Sequence, residues 1–101
     1  MNALSEELVR ISEQGLSAVL ATIVEAERSD RVQAGAKCLV VDGEIKTETI
    51  GDPRAIDRIV RESEAILSSE KSKLVALEIP DDGRLQVFFE VMLAPPKHLR
   101  G

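Results

Sequence analysis

The chain has 101 residues, a net charge of −5 and only two aromatic residues, Phe88 and Phe89. This length suits one domain with one core, and 44% hydrophobic residues with mixed charges are typical of a globular protein rather than a disordered one. The negative charge and the scarcity of aromatic side chains argue against nucleic-acid binding, which uses basic patches and aromatic platforms.

Cysteine usage and hydropathy narrow the class of protein further. A single cysteine, Cys38, excludes an internal disulfide and a metal cluster made only of cysteines. No stretch reaches the roughly 18 apolar residues of a membrane span, and the N-terminal residues lack the basic and apolar blocks of a secretory signal. We therefore expect a cytoplasmic protein that contacts no membrane.

The chain begins with a predicted helix. Leu4, Leu8 and Ile11 lie at helical spacing, and Gly15 suits the left-handed position that follows a helix end. These residues together predict a first helix over residues 3–14.

Three strands are predicted next. The apolar run 18–24 suits a strand covered on both faces, and the polar segment 26–35 is typical of an exposed loop. Residues 36–41 form the second predicted strand, and the Asp-Gly pair after it predicts a hairpin into a third strand over 44–50. Ile45 stands alone among polar neighbours in the third strand, which is therefore expected near an edge of the sheet.

The second half of the chain predicts a helix and two more strands. Asp52 is a preferred N-cap residue and Pro53 is favoured at the first helical position, so a helix is expected to start there. Residues 73–79 and 84–93 alternate in hydrophobicity as strands do, and Pro-Asp-Asp-Gly between them predicts a turn. Residues 95–101 are expected to form a loose tail.

The predicted order of elements is α-β-β-β-α-β-β. This order indicates a single α/β domain of the α+β kind, with two helices and a mixed or antiparallel sheet of about five strands. The domain is expected to span residues 1–94.

Three groups of residues are candidates for chemistry, and for each we favour a structural interpretation. Lys37 would become a nucleophile only with a lowered pKa, and otherwise is an exposed lysine at the start of a strand. Cys38 would need a basic partner, but the only histidine, His98, lies in the predicted tail, so Cys38 is expected to be a small buried hydrophobe. Asp81 and Asp82 could bind a hard cation or simply form a turn. The residues by themselves predict no catalytic set, since no Walker loop, zinc spacing or Ser-His-Asp arrangement is visible.

Three longer segments have a recognisable pattern: "LATIVEAERSDRVQAGAKCLVVDG", "TIGDPRAIDRIVRESEAIL" and "DDGRLQVFFE". They resemble segments of the N-terminal domain of the XdhC/CoxI family, over about Leu4 to Met92. Members of this family are maturation factors for molybdenum hydroxylases such as xanthine dehydrogenase and carbon monoxide dehydrogenase. Full-size members add a C-terminal Rossmann-type domain, for which this chain has no counterpart, so we expect a divergent, stand-alone version.

The resemblance implies a function and partners. It implies binding of the molybdenum cofactor (molybdopterin), its protection or sulfuration, and its delivery to an apo-hydroxylase. The implied partners are a molybdenum hydroxylase apo-enzyme or other maturation proteins. A protein of this kind is chaperone-like, and we expect no enzymatic turnover of its own.

This chain retains some positions of the family's motifs. The family has Pro-Gly-Ala-Lys before its second strand, a Gly-Gly-Gly turn before its second helix, and Cys-Gly-Gly followed by a strand that ends in Glu. The retained positions in this chain are Gly35, Ala36, Lys37, Gly51, Gly83 and Glu90.

Other motif positions are changed, and the changes weaken an anion site. Asp52 and Pro53 replace two glycines of the turn, while Asp81 replaces the motif cysteine and Asp82 a glycine. Bare N–H groups at a helix N-terminus attract anions, but an Asp52 carboxylate would cap these groups and Pro53 has no N–H. Cys38 stands where the family has methionine and Ile56 where it has Glu.

We therefore expect the cofactor to bind weakly or not at all. Arginines and Lys37 near the motifs would restore some attraction for it. The candidate ligand-binding residues are Arg31, Gly35, Lys37, Gly51, Asp52, Arg54 and Gly83.

Three hypotheses remain open from the sequence. The first is an accessory protein of molybdoenzyme maturation. The second is a non-catalytic homo-oligomeric module, such as a dimer formed through a sheet edge, that kept the scaffold and lost the ligand. The third is an enzyme with its own active site. A glycine turn open to an anion would favour the first hypothesis, a self-capped turn the second, and a cleft with convergent titratable groups the third.

Overall fold

Residues 3–93 are described in a computed structural model of the protein, as two helices and five strands. The sheet order is β3-β2-β1-β5-β4, and every neighbouring pair of strands is antiparallel. The elements are α1 Ala3–Gln14, β1 Ala18–Glu27, β2 Lys37–Val41, β3 Glu44–Glu48, α2 Pro53–Ser69, β4 Lys73–Glu78 and β5 Arg84–Met92. The predicted α+β fold and its order of elements are confirmed, and the sheet is antiparallel rather than mixed.

Helix α2 covers one face of the sheet. Its N-cap is Asp52, whose side chain accepts a hydrogen bond from the backbone N–H of Ala55 (3.4 Å), and Pro53 occupies the first turn as predicted. The helix buries Ile59 and Ile66 among alternate side chains of the strands. Ser63 lies on the same buried face, where its hydroxyl donates to the carbonyl of Ile59 (2.7 Å).

Helix α1 covers part of the opposite face. Ile11 packs with Ala18, Leu39 and Val41 in a second, smaller cluster of buried residues. Because successive side chains of a strand point to opposite faces, Leu39 and Val41 lie under α1 while their neighbours Cys38 and Val40 lie under α2. The central strands are thus covered by α2 on one face and partly by α1 on the other.

Strand β1 departs from the prediction in two ways. It runs on to Glu27, into the segment predicted as a loop, because beyond a bulge after Ile23 it keeps pairing with β5 as far as Arg84. The prediction that both faces of this strand are covered is also wrong at this end. Val24 is 53% exposed and lies outside the cluster that packs against α1. In the loop that follows, Val32 is buried rather than exposed.

The remaining boundaries are close to those predicted. Strand β3 lies at an edge, as expected, but ends at Glu48 rather than at Ile50. The predicted tail, residues 95–101 with His98, lies outside the described residues. No helix among residues 3–93 is long and apolar enough to cross a membrane.

Candidate functional site

The predicted site residues gather at one end of the sheet. Strands β1, β3 and β4 finish at this end, and β2 and β5 start there, because all neighbouring strands are antiparallel. Three connections therefore meet: residues 28–36 between β1 and β2, residues 49–52 between β3 and α2, and residues 79–83 between β4 and β5. We call this region the loop end of the sheet.

A carboxylate from β3 occupies the glycine turn before α2. One oxygen of Glu48, Oε2, accepts hydrogen bonds from the backbone N–H groups of Ile50 (2.7 Å) and Gly51 (2.9 Å). These two N–H groups are the donors that the turn would otherwise present to an anion. Sequence reasoning missed Glu48, although an acidic residue three positions before a glycine turn is a usable signal for such a contact.

A second carboxylate caps the helix behind this turn. Asp52 is only 4% exposed, and one of its oxygens accepts from Ala55 N–H at the start of α2. Its other oxygen lies 3.9 Å from a guanidinium nitrogen of Arg31, which reaches it from the β1–β2 connection. The capping expected from Asp52 is therefore present, and Glu48 supplies a second carboxylate that accepts from backbone N–H groups just before the helix.

The motif around Gly35 and Lys37 is held by backbone contacts. The N–H of Gly35 donates to the carbonyl of Ile23 (2.7 Å), so this N–H is also used within the chain. The Lys37 backbone N–H donates to the Thr49 hydroxyl (3.0 Å), and the Thr49 N–H donates back to the Lys37 carbonyl (2.8 Å). These bonds tie the motif to the end of β3.

The Lys37 side chain is half-buried and leads away from the glycine turn. Its ammonium lies 3.4 Å from the hydroxyl of Thr22 on the neighbouring strand, on the face that Lys37 shares with Leu39. Lys37 is thus less exposed than predicted, and no described contact gives it the partner that a nucleophilic lysine needs.

Cavities at the loop end bring some of the predicted residues together and separate others. A polar cavity of about 520 Å³ is lined by Arg31, Gln33, Ala34, Gly35, Ala36, Thr49 and Ile50. Lys37 and Gly35 border a more apolar cavity of about 300 Å³ next to Leu4 and Leu39. Arg54 donates to the carbonyl of Pro80 (2.9 Å) beside a third cavity, and Gly83 borders a fourth. The candidate residues share one end of the sheet without lining one pocket.

The turn between β4 and β5 is a structural clamp. Asp82 is 6% exposed, and its carboxylate accepts hydrogen bonds from the Ser29 hydroxyl (2.9 Å) and the Asp30 N–H (3.3 Å). Gly83 approaches β1 so closely that an added Cβ would lie 2.1 Å from the Glu27 carbonyl oxygen. The predicted turn is confirmed, and both residues fasten it to the β1–β2 connection.

Cys38 is a buried side chain, as predicted. It has no exposed surface and packs in the core beneath α2. Burial, the larger cause, and the Glu48 carboxylate raise the pKa of the Cys38 thiol from 9.0 to about 11. Since the thiolate is the reactive form, this thiol is inert at neutral pH.

We expect Cys38 to resist alkylation by iodoacetamide in the native protein at pH 8 and to react at once in denaturant. The raised pKa means that the thiol favours the folded state below pH 9.0, and that this contribution is lost as the pH rises towards about 11. Mass spectrometry of labelled protein measures the alkylation, and urea unfolding over a pH series measures the change in stability. Rapid native labelling at pH 8 would contradict the assignment.

The arrangement of side chains at the loop end does not support a metal site. Within residues 3–93, no group of three or more His, Cys, Asp or Glu side chains is arranged to hold a metal ion. The cation hypothesis for Asp81 and Asp82 therefore gains nothing from the geometry, because Asp82 is used by Ser29 and Asp30.

Comparison with protein-family models assigns the chain to a family. A sequence model of the XdhC and CoxI family matches residues 11–78, about two thirds of the chain. No curated protein matches the chain. The matched region runs from α1 to the end of β4 and includes the β1–β2 connection and the glycine turn.

Proposed function

The chain belongs to the XdhC and CoxI family, and on this premise we propose that it is an accessory, chaperone-like protein in the maturation of a molybdenum hydroxylase. The client would be of the xanthine dehydrogenase or carbon monoxide dehydrogenase type, the enzymes with which this family is associated. The protein would act by contact with the apo-hydroxylase or with other maturation proteins, and not as an enzyme.

The residues at the loop end do not fit an anionic cofactor such as molybdopterin. The observation that carries this conclusion is the Glu48 carboxylate on the N–H groups of Ile50 and Gly51. An anionic ligand would have to displace that carboxylate and approach Asp52, which is also negatively charged and almost fully buried. Two negative charges brought close together in a partly desolvated site repel each other strongly. The proposed role is therefore carried by protein contacts and involves no cofactor binding.

The cations at the loop end do not offset this repulsion. Arg31 faces Asp52 at 3.9 Å, and Arg54 donates to the Pro80 carbonyl in the β4–β5 connection. Lys37 points towards Thr22. The positive groups are thus spread over separate cavities, where a single ligand cannot contact them together.

The same observation favours a second candidate function. A self-capped turn is what we expect of a non-catalytic module that kept the scaffold, lost the ligand and serves in homo-oligomeric binding or assembly. The two functions differ in their partner, which is a hydroxylase in the first and a further copy of this chain in the second.

We expect no submicromolar binding of molybdopterin to this chain in a calorimetric titration. Replacing Glu48 by Ala frees two backbone N–H groups, so Glu48→Ala is expected to bind inorganic phosphate measurably better than the unaltered protein does. Glu44→Ala is the matched control, because Glu44 is an exposed glutamate of the same strand. Submicromolar binding by the unaltered chain, or an equal gain in both variants, would contradict the self-capping account.

The maturation role is tested by purifying the tagged chain from its native source, followed by identification of bound proteins and metal and pterin analysis. A molybdenum hydroxylase without stoichiometric pterin supports the proposal. A hydroxylase with stoichiometric pterin on the chain would show that the cofactor is carried after all. Recovery of the chain with its own copies alone supports the second candidate.

A further inference from the structure

Strand β4 is an edge strand whose outer side faces no other strand among residues 3–93. In its pairing with β5, Ile79 N–H donates to the Gly83 carbonyl (2.9 Å) at the end of the ladder. Backbone groups alternate in direction along a strand. The N–H and C=O groups of Leu74, Ala76 and Glu78 therefore point outwards, where a further strand can pair with them.

The two edges of the sheet differ in composition. The outer strand β3 carries Glu44, Lys46 and Glu48, and charged side chains of this kind protect an edge from pairing. Strand β4 has the sequence KLVALE, with charges only at its two ends. Its apolar middle makes β4 the edge that is suited to accept another strand.

An exposed apolar patch adjoins this edge on the open face of the sheet. Leu74 is 56% exposed and lies directly across from Phe88, which is 38% exposed. Ala76 is exposed on the same face of β4. A strand added at β4 would cover these side chains as well as pair with the backbone.

The charges at the strand ends favour a second copy in antiparallel orientation. Lys71 and Lys73 lie at the start of β4 and Glu78 at its end. A two-fold axis through Val75 places Ser72 of one copy opposite Glu78 of the other, so that the basic start of each strand adjoins the acidic end of its neighbour. Because successive side chains alternate between the faces, the Lys73 side chain lies on the opposite face of the sheet from that of Glu78. A parallel arrangement would place like charges side by side, which is destabilising.

The side-chain pattern favours the same register. Centred on Val75, the pairing sets Leu74 opposite Ala76 of the second copy, and both residues have outward-pointing backbone groups. Centred on Ala76, it would set Leu74 opposite Glu78, an apolar residue against a charge. A two-fold contact of this kind is isologous, so it closes as a dimer.

We infer that β4 is a homodimer interface, in which two copies pair antiparallel about Val75 and form a continuous sheet of two five-stranded halves. This inference rests on the second candidate function and deepens it by naming the partner surface. It does not depend on any contact with a hydroxylase.

Sedimentation velocity of the purified full chain over a concentration series tests the interface. We expect a dimer that dissociates on dilution, and we expect Ala76→Lys to raise its Kd by at least about tenfold, since two inserted charges would meet the apolar centre of the pairing. Ile45→Lys is the matched control, because it adds the same charge to an exposed apolar position of the opposite edge strand. Circular dichroism of both variants checks that they are folded.

The charge arrangement has its own test. Glu78→Lys alone is expected to weaken the dimer, because it adds positive charge next to the basic start of the second copy, and adding Lys71→Glu and Lys73→Glu is expected to restore at least part of the affinity. In the unaltered protein, amide exchange at Leu74 and Ala76 should slow as the concentration rises.

Several results would overturn the inference. They are a monomer throughout the series, equal effects of Ala76→Lys and Ile45→Lys, or failure of the charge swap to restore the dimer. A chain that stays monomeric but loses hydroxylase capture through Ala76→Lys would also overturn it, while leaving the maturation role standing.

Discussion

Gly83→Ala is expected to lower the free energy of unfolding by about 3 kcal/mol or more, a large part of the stability of a domain of this size. Two independent effects add at this position. The residue has φ +78°, a conformation that costs an L-residue roughly 1–2 kcal/mol. Its Cβ would also lie 2.1 Å from the Glu27 carbonyl oxygen and 2.6 Å from that of Arg28, and both are backbone atoms. The end of β1 and the β4–β5 turn would have to move apart.

The control for this prediction is Gly43→Ala in the β2–β3 hairpin. Gly43 has φ +75°, but no atom lies within 4 Å of an added Cβ. Only the conformational cost of roughly 1–2 kcal/mol is then expected. Urea unfolding followed by circular dichroism measures both variants. Equal losses would show that the contact with β1 relaxes freely and that the turn is not the clamp we describe.

Phe89→Ala is expected to cost about 3–5 kcal/mol, the range found when a buried phenylalanine is truncated and leaves a cavity. Phe89 has no exposed surface and is the largest fully buried side chain of the described residues. It lies on β5, between β1 and β4, on the face that packs beneath α2. With only two aromatic residues in the chain, no other ring can fill the space.

Its neighbour Phe88 is the matched control. The same ring at the next position of the same strand points to the opposite face, where it is 38% exposed. Phe88→Ala is expected to change the free energy of unfolding by less than about 1 kcal/mol. Thermal and urea unfolding should be measured at low protein concentration, so that loss of Phe88 from the proposed dimer patch does not contribute. A larger loss for Phe88 than for Phe89 would mean that the register of β5 is wrong.

Most of the fold could be predicted because its signals are local. Asp52 and Pro53 start α2 in the structure as they do in the sequence pattern, and the Asp-Gly hairpin lies between β2 and β3. The predicted alternation of residues 84–93 is present in β5, where Phe89 is buried and Phe88 is exposed. Each of these features depends on residues within a few positions of one another, where propensity and periodicity are informative.

The errors arose where distant segments meet. The extension of β1 to Glu27 depends on pairing with Arg84, and the burial of Val32 depends on the core below the loop. The exposure of Val24 reflects the position of α1, which packs against β2, β3 and the start of β1 and leaves the far end of β1 uncovered. In each case a tertiary contact overrode a polar or apolar local pattern.

The sequence indicated which residues belong to the candidate site, but it did not indicate how these residues are arranged. The family motifs indicated Gly35, Gly51 and Gly83, yet the three glycines do different work. Gly51 gives its N–H to Glu48, Gly35 gives its N–H to Ile23, and Gly83 is required by the close approach to β1. Glu48, on which the proposed loss of anion binding rests, lies outside the three segments that carry the family resemblance.

The sequence by itself determined the order of helices and strands, the N-cap of α2, the buried nature of Cys38 and the resemblance to the family, because these follow from short-range patterns. Only the tertiary structure decided that Asp82 fastens Ser29 across 53 positions of the chain, and that β4 is the edge without protective charges in its middle. It also showed that the glycine turn is filled by the chain's own carboxylate. Such features depend on which strands become neighbours, and burial and pairing across the whole sheet decide that order.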